Sequence, residues 1–195
     1  MKMDIIQTWL RYSAIVIVTA FLIAGSGCAS DEEKRDRHFD RARDYIEKKE
    51  FNKAVIELKN VIQLDPKNDS AFYELGETYL KLNQGQEAFQ AFSRAVSAKP
   101  DNMEAQLKLG QILLLGKKTG EAREKADLIL QKSPDDVDAL NLLSGVQIQE
   151  QDINAAVETL KKVISIDPNH YNTHLSLVGT YGRYVSKHVY LKLPT

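Results

Sequence analysis

Residues 69–102 read DSAFYELGETYLKLNQGQEAFQAFSRAVSAKPDN. The first half predicts a helix: Asp69 and Ser70 are capping candidates, and Phe72, Leu75, Tyr79 and Leu82 fall on one face at helical spacing. Gly85 reads as the break. The second half repeats the pattern with Ala88, Phe92 and Ala95. Pro100 then blocks further helix, because it lacks an amide donor and clashes with the preceding turn. The segment is a helical hairpin.

The same hairpin recurs along the chain. Pro66, Pro100, Pro134 and Pro168 are each 34 residues apart, and Ala54, Ala88, Ala122 and Ala156 keep that spacing. Units therefore run 35–68, 69–102, 103–136 and 137–170, with a partial unit at 171–185. The eighth residue of each full unit is Ala42, Gly76, Gly110 or Ser144. Small residues there let the two helices of a unit approach closely. In register and composition, residues 35–185 resemble the tetratricopeptide repeat (TPR) family. The resemblance implies an all-α solenoid of antiparallel helix pairs, four repeats plus one extra helix, coiled into a right-handed superhelix. His38 and Arg41 stand where unit two has Phe72 and Leu75, and are read as polar residues on an outward-facing terminal repeat. Residues 188–195 show no helical period, and 186–195 read as a tail.

Residues 1–27 have the layout of a signal peptide. Lys2 and Arg11 precede the apolar stretch Ser13–Ala24, which is short of the ~20 residues a membrane span requires. Small residues Gly25, Ser26 and Gly27 lead directly to Cys28, the only cysteine. This junction resembles the lipobox of bacterial lipoproteins, although Gly25 stands where that family prefers an aliphatic residue. The resemblance implies cleavage before Cys28 and lipidation of its thiol. Several acyl chains, at about 0.8 kcal/mol per buried methylene, anchor stably where one does not. Ala29 is not the aspartate that would imply inner-membrane retention, so the expected location is the bacterial envelope, at the outer membrane and facing the periplasm. Residues 28–34 then form a lipidated cysteine and a charged tether.

The totals exclude several classes. With 26 basic and 27 acidic residues among 195, no global field marks a nucleic-acid binder. A single cysteine forms no internal disulfide. His170 and His174 are four apart, but the first falls in a loop, the second at a packing position, and no third ligand is near in sequence. No nucleophile has an identifiable base, and no glycine-rich phosphate loop occurs in the repeats. The chain reads as a non-enzyme without cofactor, metal or small-molecule substrate.

The TPR resemblance implies a concave wall formed by the first helix of each unit. On this chain it selects Phe39, Asp40, Arg43 and Ile46, then Tyr73, Glu74, Glu77, Leu80 and Lys81. It continues through Leu107, Lys108, Gln111 and Leu114 to Asn141, Leu142, Ile148 and Gln149. Phe39, Arg43, Tyr73, Glu74, Glu77, Leu107, Lys108, Gln111 and Asn141 are the candidate partner contacts, with apolar anchors for affinity and polar neighbours for register. The same apolar residues could instead pack neighbouring first helices. Some family members clamp a C-terminal carboxylate; at those places this chain has Phe39, Arg43, Glu74, Glu104 and Lys108, and the two glutamates would repel it. Two functions follow. One is a lipid-anchored adaptor for a protein segment of an envelope assembly or export machine, similar to the TPR lipoproteins of exopolysaccharide and PEP-CTERM systems. The other is a truncated structural part of a longer TPR array, whose function lies in missing downstream regions.

Overall fold

The computed structural model describes residues 30–190, with side chains to residue 182. Among the described residues it contains nine helices. They are α1 (Asp31–Glu47), α2 (Phe51–Leu64), α3 (Asp69–Lys81), α4 (Gly85–Ala98), α5 (Met103–Leu115), α6 (Thr119–Lys132), α7 (Val137–Gln149), α8 (Ile153–Ile166) and α9 (Tyr171–Tyr190). Consecutive helices pair as α1/α2, α3/α4, α5/α6 and α7/α8, each hairpin stacks on the next, and α9 packs on α8. This is the all-α repeat solenoid expected from the sequence.

Close approach explains the small residues. The repeating alanines Ala54, Ala88, Ala122 and Ala156 are all fully buried. A methyl group on Gly76 would lie 2.7 Å from the Phe92 ring, and one on Gly110 would lie 2.6 Å from Leu142 Cδ2 and 3.0 Å from Lys125 Cβ. Gly76 thus seats the second helix of its own unit, and Gly110 also admits the next unit. Phe92 is fully buried and forms a cluster with Ala88, Leu109, Leu113, Ala122 and Val146, so side chains from three units share one core.

Two 34-residue devices set the ends of the helices. Asn68, Asn102 and Asp136 cap α3, α5 and α7, their side-chain oxygens accepting from the amides of Ala71, Ala105 and Ala139 at 2.8, 2.9 and 2.8 Å. The cap of α3 is therefore Asn68, not the expected Asp69 or Ser70, which already lie within the helix. The second device closes each first helix. Lys49, Asn83, Lys117 and Gln151 have φ of 60°, 59°, 59° and 64°. At the first of these, the Lys49 amide donates to Ile46 O and the Glu50 amide to Tyr45 O, the two bonds of a Schellman motif. The break before α4 thus lies at Asn83, and Gly85 is the first residue of the new helix.

Lysine and glutamine are strained in the left-handed region, whereas glycine is not. Lys49→Gly, Lys117→Gly and Gln151→Gly are each expected to stabilise the protein by about 0.5–1 kcal/mol, the relieved strain exceeding the added chain entropy. Urea denaturation followed by circular dichroism checks this, and unchanged or lowered midpoints would refute the strain argument.

Two boundaries and one set of contacts differ from the sequence reading. Residues 31–34 are the first turn of α1 and not a solvated tether: Ser30 Oγ accepts from the Glu33 amide at 3.1 Å, and Asp31, Glu32 and Glu33 lie at the positive end of the helix dipole. His38 and Arg41 do not simply face outward. Both reach Glu57 of α2, His38 through Nδ1 and Arg41 through Nη1 at 3.6 Å. Glu57 occupies the register of Ala91, so a polar trio replaces the Phe72, Leu75 and Ala91 of unit two. Finally, α9 continues to Tyr190, because no glycine or proline interrupts residues 183–193. Residues 1–29, including the signal segment and Cys28, and residues 191–195 lie outside the described residues.

Candidate partner-binding groove

The first helices stand side by side, and every neighbouring pair is joined by a named contact. Arg43 of α1 donates from Nε and Nη2 to Glu74 Oε1 of α3 at 3.0 and 2.9 Å. Lys108 Nζ of α5 lies 3.0 Å from Glu77 Oε1 of α3, an ion pair without the directionality of a hydrogen bond. Between α5 and α7, Gln149 Nε2 donates to Leu114 O at 3.0 Å, and a methyl on Gly145 would meet Leu114 Cδ2 at 2.7 Å. Between α7 and α9, Thr173 Oγ1 donates to Asn141 Oδ1 at 2.9 Å. These bridges hold one continuous wall.

The wall positions are therefore occupied differently from the sequence expectation. Arg43, Glu74, Glu77 and Lys108 bind one another, each bridge linking the ninth residue of one unit to the sixth of the next with its polarity reversed. Phe39 is half-buried beneath the Arg43 guanidinium, which lies 4.5 Å from the ring centroid, a cation–π contact. Tyr73 packs edge-on against Phe92 with centroids 5.7 Å apart. It is an inter-helix packing residue with one edge on the groove. Burial, reinforced by Glu77, Glu104 and Glu74, pushes its hydroxyl up to about 12, so it remains a neutral donor at physiological pH. Leu107 is half-buried, Gln111 is exposed, and Asn141 is tied to Thr173.

Arg43, Ile46, Glu74, Glu77 and Lys81 meet around a single cleft of about 340 Å³ between α1 and α3. Glu47, Phe51 and Thr78 complete its lining and were not among the contacts selected from sequence. Phe51 opens α2, so a search restricted to first helices passes over it. The cleft has a structural cause. At the ninth position of a unit, Gly145 lets α7 close onto α5, whereas Arg43 and Glu77 occupy that place in the first two units with long side chains.

Charge is unevenly distributed over the wall. Its positions carry Asp36, Asp40, Glu47, Glu74, Glu77, Glu104 and Asp138 against Arg43, Lys81 and Lys108, although the chain as a whole is nearly balanced. Arg43 bonds only to Glu74 Oε1, and among the described residues the buried Oε2 receives no hydrogen bond.

The two histidines have separate tasks. His170 is in the capping register of Asn68, and its Nδ1 lies 3.3 Å from the Thr173 amide and 2.6 Å from Thr173 Oγ1. His174 is exposed, contrary to the packing place expected for it, and its Nε2 lies 2.9 Å from Pro168 O. It repeats Gln106, whose Nε2 donates to Pro100 O at 2.9 Å.

Helical hairpins of 34-residue period, with their first helices joined in one wall, define a TPR solenoid. Residues 29–178 match the family described as Cytochrome c-type biogenesis protein H TPR domain, and the chain belongs to that family. No curated protein is significantly similar in sequence. Among solved structures, MamA (residues 41 to the end) from Desulfovibrio magneticus RS-1 aligns with a TM-score of 0.73 at 19% identity, over 78% of this chain and 86% of that one. A tetratricopeptide repeat protein from Parabacteroides merdae aligns with a TM-score of 0.69 at 19% identity, over 78% of this chain and 62% of the other. YrrB, described as a TPR protein with an unusual peptide-binding site, gives 0.65 at 23% identity, over 71% and 72%. At these identities the structures share the fold.

Proposed function

We propose that this protein is a lipid-anchored, non-catalytic TPR scaffold of the bacterial envelope, whose concave wall holds a segment of a partner protein during assembly or export. The observation that carries this reading is the open cleft between α1 and α3, bordered by exposed polar groups on a wall held together by inter-helix bridges. The peptide-binding site named for YrrB and the biogenesis named in the family's description are consistent with it. Exopolysaccharide export remains one candidate machine, on the resemblance of the lipobox and repeats.

A photo-crosslinking residue at the exposed wall position Gln111, compared in native cells with one at Glu124 on the second helix α6, tests the groove. One dominant envelope protein is expected from position 111 alone; equal labelling at both positions, or none, would remove the groove assignment. For the anchor, Cys28→Ala is expected to shift the protein from the membrane to the soluble fraction. Retention of this variant in membranes would eliminate thiol lipidation as the means of attachment.

A second reading, as part of a longer array, is favoured by α9, where Tyr171, Leu175 and Val178 are 70%, 54% and 71% exposed at helical spacing. Val178 stands in the register of Ala42, Gly76, Gly110 and Ser144, so a further helix packed there would sit farther out than in the other units.

A further inference from the structure

We propose that the cleft between α1 and α3 receives a lysine or arginine side chain from a basic, amphipathic segment of the partner; this assignment rests on the groove reading above. The lining combines an apolar part, Ile46, Phe51 and Thr78, with a charged part in which the carboxylates Glu47, Glu74 and Glu77 outnumber Arg43 and Lys81. A long cationic side chain matches both, laying its methylene stem on the apolar part and carrying its charge to the carboxylates.

Two observations select a cation. Glu47 is exposed on the lining and makes no ion pair among the described residues, whereas Glu74 and Glu77 already pair with Arg43 and Lys108. The wall beyond the cleft continues the acidic excess through Asp40 and Glu104, which would attract a segment carrying several basic residues and repel an acidic one. A metal ion is a poorer match, because among the described residues no group of three or more histidine, cysteine, aspartate or glutamate side chains converges for ligation. The size of the cleft, about 340 Å³, also accommodates a side chain better than a folded domain.

The test uses full-length protein in detergent and three labelled helical peptides of identical leucine pattern, whose polar positions are all lysine, all glutamine or all glutamate. Fluorescence anisotropy is expected to show the lysine peptide binding at least about tenfold more tightly than the glutamine peptide, with the gap shrinking from about 50 mM to about 0.5 M salt. Lys108→Glu makes the wall more acidic and should tighten binding of the lysine peptide severalfold. Glu74→Gln and Glu77→Gln should weaken it severalfold, and Glu124→Lys on α6 should not change it. Circular dichroism confirms that each variant is folded. Equal binding of the lysine and glutamine peptides, abolished by Ile46→Asp, would overturn the cationic assignment while keeping the groove. Failure of the lysine peptide to bind would also overturn it, and the crosslink at position 111 would then decide the groove reading separately.

Discussion

Phe92→Ala is expected to lower the unfolding free energy by about 3–5 kcal/mol, the range for emptying a fully buried aromatic site. The value should lie toward the upper end, because collapse around the cavity is hindered. The ring is held by the Gly76 backbone on one side and Tyr73 edge-on at another, and it joins Leu109, Leu113 and Val146 from the next two units in one core. Its loss therefore weakens inter-unit contacts as well as one hairpin, and in a solenoid those contacts carry the cooperativity. Urea unfolding followed by far-ultraviolet circular dichroism should show a lower midpoint and a broader transition. A loss under about 1.5 kcal/mol would mean that the ring is dispensable.

A companion variant separates packing from burial. Gly76→Ala would gain about 1 kcal/mol of helix propensity on an exposed helix. Here its methyl would lie 2.7 Å from the Phe92 ring, so a net loss of about 1–3 kcal/mol is expected instead. Combining Gly76→Ala with Phe92→Leu should lose less than the two single changes together, since the smaller side chain vacates the space that the methyl needs.

The sequence made the architecture legible because helix packing repeats with the chain. Prolines, buried alanines and the small residues at 42, 76, 110 and 144 recur in phase, and Gly76 answers to a distance within one unit. The groove was less legible because it depends on distances between units. Arg43 and Glu74, and Glu77 and Lys108, are 31 residues apart, and only the stagger of neighbouring first helices brings the ninth position of one unit beside the sixth of the next. In one dimension those four residues look like groups awaiting a partner; in three they pair with one another, and the unpaired carboxylate of the cleft, among the described residues, is the exposed Glu47. Other signals were local and were passed over. Ser30 is a helix N-cap within a stretch whose mixed charge suggested a tether. Glu57 in the register of Ala91 announces that His38 and Arg41 have an internal partner. Cys28 and the segment preceding it lie outside the described residues, so the proposed membrane anchor rests on sequence.

The largest effect after Phe92 is expected from removing the caps together. Asn68→Ala, Asn102→Ala and Asp136→Ala each delete an acceptor for one amide at the start of a first helix, which costs about 1 kcal/mol per site. The sites are each 34 residues apart and serve different helices, so their effects should nearly add, to about 3 kcal/mol in the triple variant. Asn102 carries an additional load, because its Nδ2 donates to Asp69 Oδ2 at 2.8 Å and so ties the start of α5 to the start of α3. Asn102→Ala should consequently lose more than Asp136→Ala, for which the structure shows the single capping bond. Serine at the three positions supplies the acceptor without the amide donor. Asp136→Ser should remain near the parent stability, whereas Asn102→Ser should recover its cap and still lack the tie to Asp69, and Asn68→Ser should recover its cap and lack the 3.0 Å bond from Nδ2 to Asp65 Oδ2. If all three alanine variants unfolded at the parent midpoint, the 34-residue spacing of these residues would reflect loop chemistry alone, and α3, α5 and α7 would be held in place by packing.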